Sequence, residues 1–193
     1  MSVRLPAAER RQQLVETALV LFADRGLHGT SMDDIAEAAG VTKPVLYQHF
    51  RSKRALFTEL LDQVSLQLLT SITKATAQAA TGREQVELGL TAYFQFVADY
   101  HASFVLLFGD GTRRDQEFAS AVTAVENSIA DFIAALIDAD LDDDHRQLLA
   151  HAIVGMAENA SRRWVVAGAT EPASVAASRV ANLAWAGLRA VHR

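Results

Sequence analysis

The chain has 193 residues, half of them apolar, with 18 Lys and Arg against 23 Asp and Glu, a net charge of −5 and no cysteine. That is enough for one domain, or a small domain joined to a larger one, with a sizeable core, and it excludes disulfides and thiolate sites. No apolar run of about 18 residues is unbroken, so a membrane span is not expected; the N-terminal MSVRLPAAERRQQ has no apolar h-region, so a cytoplasmic location is.

Pro6 is expected to open a first helix running to about Arg25, with Leu14, Ala18, Leu21 and Phe22 at helical spacing. Gly26 and Gly29 bracket a turn. The next stretch, TSMDDIAEAAGVTKPVLYQHFRSK from Thr30 to Lys53, reads as two short helices around a tight turn. Thr30 or Ser31 can cap the first, since each has an acid three residues on (Asp33, Asp34). Ile35, Ala36 and Ala39 give it an apolar side, and Gly40 stands where a left-handed residue ends a helix. Thr42 is placed to cap the second helix, and Pro44 falls in its first turn, where no N–H is required. Val45, Leu46 and Phe50 can pack inward, leaving Lys43, Tyr47, Gln48 and His49 outside. This has the form of a helix-turn-helix whose second helix offers donors, a ring and a cation to a DNA groove.

The charge distribution fits such a role better than the total does. Residues 1–60 carry eight Lys and Arg against seven acids, and residues 61–193 carry ten against sixteen. Within 40–60 the basic residues are Lys43, Arg51, Lys53 and Arg54, against Glu59 alone. Phosphate attraction is local and screened, so a small basic face on an acidic protein suffices and binding should weaken strongly with salt.

Ser52 can cap a long helix reaching about Ala80, with the stripe Leu56, Phe57, Leu60, Leu61, Val64, Leu68 and Ile72. Thr81–Gly82 breaks the pattern. A helix from Arg83 to about His101 follows; Leu88 and Phe96 lie off its main stripe, so it should be enclosed on more than one face. Phe104 to Phe108 is a short apolar piece before the loop Gly109-Asp110-Gly111-Thr112. A helix from about Arg114 carries Phe118, Val122, Val125, Ile129, Phe132, Ile133 and Leu136. The last two helices run from about Asp143 to Ala167 and onward from near Pro172. No convincing strand or repeat is present, and the chain reads as all-α.

With Phe22, Gly26, Thr30, Ile35, Ala36, Ala39, Gly40, Val41, Leu46, Tyr47, Phe50, Lys53 and Leu56 at fixed spacing, the stretch resembles the DNA-binding domain of the TetR family of bacterial transcriptional regulators. The resemblance implies about nine helices: an N-terminal three-helix helix-turn-helix domain (1–55) and a C-terminal helical ligand-binding and dimerisation domain (56–193). It implies that Tyr47, His49 and Lys53 reach phosphates, with Thr30 or Ser31 assisting and Thr42 at the start of the recognition helix. Lys43, Pro44 and Gln48 are the candidates for base edges, because Lys can donate to guanine, Gln can pair with adenine and Pro can pack on a thymine methyl. One residue departs from the family: many relatives have a basic residue where this chain has Asp33, so readout should rest on the recognition helix alone.

The same resemblance implies that the last two helices pair with their copies in a homodimer. Small residues on one and a Leu/Trp/Val stripe on the other suit close packing, and the candidates are Ile153, Ala157, Ala160, Val180, Leu183, Ala184, Trp185 and Leu188. A two-fold dimer would read an inverted-repeat operator in double-stranded DNA. The middle helices are rich in aromatics, which singly would be ordinary core. As a group, Tyr93, Phe94, Tyr100, Phe104, Phe108, Phe118, Met156 and Trp164 suggest an apolar cavity for a small, lipophilic effector, with Asn159, beside Glu158 and Arg162, as a polar anchor.

Asp138, Asp140 and Asp142 form a D-x-D-x-D run without the Gly and closing Glu of a calcium loop, so these acids are expected to cap and favour the following helix. The six histidines form no ligand pair, and no nucleophile elbow or phosphate loop is present. No enzyme, metal or cofactor is expected. The expected function is a ligand-responsive dimeric repressor, the alternative being a DNA-binding regulator, repressor or activator, without a small-molecule effector.

Overall fold

The computed structural model describes residues 5–108, 116–137 and 140–191. Among them are nine helices and no strand. In chain order these are α1 (Ala7–Gly29), α2 (Met32–Ala38), α3 (Lys43–His49), α4 (Lys53–Thr76), α5 (Gly82–Asp99), α6 (His101–Phe108), α7 (Gln116–Leu136), α8 (Asp143–Val166) and α9 (Ala173–Val191). The expected loop at Gly109–Thr112 and Asp138 lie outside the described residues. The chain divides into two compact units, 1–64 with 102–122 and 65–101 with 123–193. Both α4 and α7 supply residues to each unit.

The first unit is built on one face of α1, where Leu14, Val15, Ala18 and Phe22 are buried. At Gly26 the backbone turns left-handed (φ 70°), which interrupts α1 without ending it and carries the chain to Gly29. Leu56, Phe57, Leu60, Leu61 and Val64 of α4 are buried in the same core. The Phe22 ring meets Phe57 edge-on at 5.1 Å, and Phe57 lies 4.4 Å from Phe118. The aliphatic and aromatic stripe therefore replaces water with close ring packing, the dominant favourable term for a helical core. The Ser52 hydroxyl accepts from the Ala55 N–H and caps α4.

α4 is shorter than the sequence suggests, stopping at Thr76 instead of Ala80. The buried Thr76 hydroxyl donates back to the Ile72 carbonyl, and Ala77 to Ala79 form a turn. Thr81 then adopts an extended backbone and accepts from the Glu84 N–H, so the chain is committed to starting α5.

In the second unit α5 and α9 pack along their length. The inward face of α9 is Ala173, Ala176, Ala177, Ala181, Ala184 and Leu188, and α5 buries Leu90, Tyr93, Phe94, Phe96 and Val97. Alanine lets the α9 backbone come close, and bulky α5 side chains fill the space. Gly89 of α5 serves a similar purpose, since a Cβ there would sit 3.2 Å from Thr76 Cγ2. Ala130 and Ala134 of α7 pack with Ala150, Ile133 and Val154. The Phe118–Leu136 stretch has the length and apolar composition to cross a membrane. It is nonetheless amphipathic: Val122, Ile129, Ala130 and Ala134 are buried, while Asn127, Ser128 and Asp131 are exposed. Of the acidic run, Asp142 caps α8: its carboxylate accepts from the His145 N–H at 2.8 Å, with Asp143 and Asp144 following in the first turn.

Candidate nucleic-acid interface

The proposed reader is two seven-residue helices, each too short to be stable in water alone, so its geometry depends on caps and on ties to the rest of the unit. At the start of α2, Ser31 and Asp34 form a reciprocal capping box. The Asp34 N–H donates to Ser31 Oγ at 3.1 Å, and the Ser31 N–H donates to the Asp34 carboxylate at 2.7 Å. The Ser31 hydroxyl also donates to that carboxylate and, with the backbone bond, holds the Asp34 pKa below its ordinary value. α2 ends at Gly40 (φ 66°), with the Val41 N–H bonded to the Ala36 carbonyl and the Gly40 N–H to Glu37. That is the Schellman arrangement, in which a left-handed residue lets the chain reverse over the last carbonyls.

Leu46 is fully buried and Phe50 nearly so, which fixes the inner side of α3. Thr42, Lys43, Pro44, Tyr47 and Gln48 are exposed, and His49 is half-buried. Thr42 occupies the N-cap position, but its side chain makes no capping bond, contrary to the expectation that it would. The exposed Lys43 ammonium pairs with both oxygens of Asp33, at 2.8 and 3.0 Å. That partner raises the Lys43 pKa, so the group stays charged throughout the neutral range.

Two of the proposed phosphate-facing side chains are turned to other work. Thr30 is 1 % exposed, and its hydroxyl donates to the carbonyls of Gly26 (2.9 Å) and Leu21 (3.2 Å), so the expected help with phosphates from this side chain is corrected. Lys53 donates to the carbonyls of Leu27 at 2.6 Å and Thr30 at 2.7 Å, which clamps the α1–α2 turn to the start of α4. Sequence reasoning missed Arg11. Its guanidinium donates to the His49 carbonyl at 2.7 Å, pairs with Glu59 and stacks 4.3 Å from the Phe50 ring. It thus ties the C-terminus of α3 to α1 and α4. No local pattern announces it, because its partners lie 38 to 48 residues away in sequence.

The proposed effector-binding residues fall in both units. In the first, Phe104 and Phe108 are buried together at 5.4 Å, and Phe118 packs on Phe57. In the second, Tyr93 and Phe94 are buried, Met156 and Trp164 are half-buried, and Phe94 meets Trp164 edge-on at 6.0 Å. The Tyr93 hydroxyl lies 3.3 Å from the buried Ser161 hydroxyl. Tyr100 is 45 % exposed, because α5 ends there and turns its ring outward beside Phe96. Asn159 is also exposed and donates to the Gly155 carbonyl of its own helix, so it does not supply the inward polar group expected of it. The neighbouring Glu158 is buried and pairs with Arg162 at 2.7 Å.

Among the proposed dimer residues, Ala157, Ala184 and Leu188 are buried within the single chain, so their assignment to a partner-facing surface is corrected. The α5–α8–α9 packing consumes them. Ile153, Ala160, Val180 and Trp185 are half-buried, and a Cβ at Gly82 would meet the Trp185 ring at 3.6 Å. Leu183 is 66 % exposed. Leu148 and Val166 on α8 and Val175 on α9 are exposed with it.

Both halves of the chain match known families. Residues 14–60 match the model for bacterial regulatory proteins of the tetR family, and residues 83–187 match a tetracyclin repressor-like C-terminal domain. The chain is 30 % identical over 187 residues to the HTH-type transcriptional activator FasR of Mycolicibacterium smegmatis, spanning 96 % of this chain and 85 % of that protein. It is 33 % identical over 107 residues to the HTH-type transcriptional repressor KstR2 of the same organism, covering 55 % of this chain and 52 % of that one. The crystal structure of a TetR-like transcriptional regulator from Rhodococcus sp. RHA1 superposes with a TM-score of 0.81 at 32 % identity, over 96 % of this chain and 99 % of that one.

Proposed function

The chain belongs to the TetR family of transcriptional regulators, and from that premise we propose that it is a dimeric repressor which reads an inverted-repeat operator and is released by a small lipophilic effector. The observation that carries this is the division of α3: Leu46 and Phe50 anchor it, while Lys43, Pro44, Tyr47 and Gln48 stand free of the core at its open side. A helix presenting these side chains to a major groove has the donors to read bases and the ring to contact a phosphate. Tyr47 and His49 contact the backbone, Lys43, Pro44 and Gln48 meet base edges, and Lys53 acts chiefly by holding the turn. Dimerisation is proposed through the exposed face of Leu148, Val166, Val175 and Leu183, flanked by Ile153, Ala160, Val180 and Trp185. Two recognition helices would then sit about 34–36 Å apart on successive grooves.

The effector would bind among Tyr93, Phe94, Met156 and Trp164, with the Glu158–Arg162 pair as the polar anchor. It releases DNA only to the extent that it binds the non-DNA state more tightly, and moving a population from 99:1 to 1:99 requires about 5.5 kcal/mol of such preference. Selection from random duplex DNA tests the proposal. Wild-type protein should enrich an inverted repeat, and a Tyr47→Ala, Gln48→Ala double variant should not; no enrichment at low salt sinks the DNA-reading role. A thermal-shift screen with lipophilic compounds then tests the effector, and no stabilisation by any of them leaves a regulator without one. An activator is the second reading, favoured because the relative that matches 96 % of this chain is named an activator. A promoter fusion carrying the selected operator separates the two by the sign of the response.

A further inference from the structure

The Asp33–Lys43 pair joins the first turn of α2 to the first residue of α3, and a stability role does not account for it. Both partners are more than half exposed, and exposed ion pairs add little to folding. An ammonium at a helix N-terminus is also disfavoured by the helix dipole, so without a partner Lys43 would swing away on its four-carbon stem toward any phosphate in reach. Instead, both carboxylate oxygens hold it at the end of α3 that enters the groove in helix-turn-helix proteins. Fewer than all three N–H donors remain for DNA, and their direction is set. Asp33 meanwhile opposes phosphate, which subtracts from binding that ignores sequence.

We propose that Asp33 is a specificity-determining residue of the DNA reader: it positions the Lys43 ammonium for one base pair and suppresses non-specific attraction to the backbone. The inference rests on the DNA-reading role of α3 proposed above. Specificity is a difference between affinities, and this pair acts on both sides of the difference. It also gives Asp33 a part in readout without any contact of its own to a base.

The test is selection from random duplex DNA with wild type, Asp33→Asn, Lys43→Ala and the double variant, followed by salt titrations on the selected operator and on unrelated DNA. Wild type should enrich a motif with one symmetric position read by Lys43. In Asp33→Asn, discrimination at that position should fall roughly tenfold, a magnitude typical of one good base contact. Binding to unrelated DNA should tighten, and the slope of log K against log salt should steepen by about 0.9 per protomer. Lys43→Ala should lose discrimination at the same position, and adding Asp33→Asn should remove nothing further there. An Asp33→Asn motif unchanged at every position, or degenerate elsewhere than in Lys43→Ala, overturns the inference while leaving the DNA-reading role intact. A wild-type protein that enriches nothing overturns both. Thermal melts of the variants should match wild type, since both side chains lie on the surface.

Discussion

In the α2–α3 region, two seven-residue helices are held by single, directional bonds: the Ser31–Asp34 box, the Gly40 reversal, the Lys53 clamp and the Arg11 tie. In the second unit, α5, α8 and α9 are 18 to 24 residues long and are held mainly by apolar faces, with alanine lining α9. The first arrangement sets side-chain direction bond by bond, which reading base edges demands. The second spreads its stability over many close van der Waals contacts, so its cost of change is one of volume and fit rather than of a single lost bond. Short helices pinned by a few polar ties over a small apolar anchor and long helices held by broad apolar contact should therefore respond differently to substitution.

The largest effect is expected at Leu46. Leu46→Ala empties a fully buried site under α3 and should cost about 2–5 kcal/mol in denaturant melts. DNA binding should be lost with it, since Leu46 is the fully buried anchor that seats α3 on the core. Next comes Ala181, 1 % exposed in the α9 inner face. Ala181→Leu should cost about 1–3 kcal/mol by overpacking, lowering the melting temperature while the selected DNA motif stays the same. If it changes base preference, the proposed separation between the two kinds of packing is wrong.

Lys53→Ala should cost about 1 kcal/mol, discounting charge-assisted hydrogen bonds for partial exposure. It should weaken binding to all operators alike, because it loosens the turn and touches no base; a change at one base position would instead place Lys53 in readout. The smallest effect is at Ser31. Ser31→Ala should cost about 1 kcal/mol or less as a lost cap. Its signature lies in pH. The folded Asp34 pKa is below its ordinary 3.8, so its stabilising contribution is present above that value and is lost as pH falls through the folded pKa. Removing the Ser31 hydroxyl should flatten that acid limb between about pH 4 and the folded value, as followed by circular dichroism.

Much of the reader was legible in the chain itself. The acid three residues after Ser31, the glycine at 40 and the proline at 44 each answer a backbone need within four residues, so sequence spacing and spatial neighbourhood coincide. The buried stripe of α4 followed from its period for the same reason. The clamp made by Lys53 and the tie made by Arg11 did not, since their partners lie 23 to 48 residues away, and the inward turn of Thr30 depends on where Gly26 redirects α1.

The dimer and effector surfaces were less legible still. A helix enclosed on several sides carries apolar residues all round, and its period then no longer says which face meets its own chain and which is left open. Ala157, Ala184 and Leu188 fell on the inner side of that ambiguity, and Leu183 on the outer. By itself, then, the sequence determined the order of the helices, the caps at Ser31, Ser52 and Asp142 and the chemistry displayed on α3, because those follow from interactions between near neighbours. Only the tertiary structure decided which donors are spent within the protein, which faces stay uncovered and that Asp33 holds Lys43, because those depend on segments that meet only once the chain has folded.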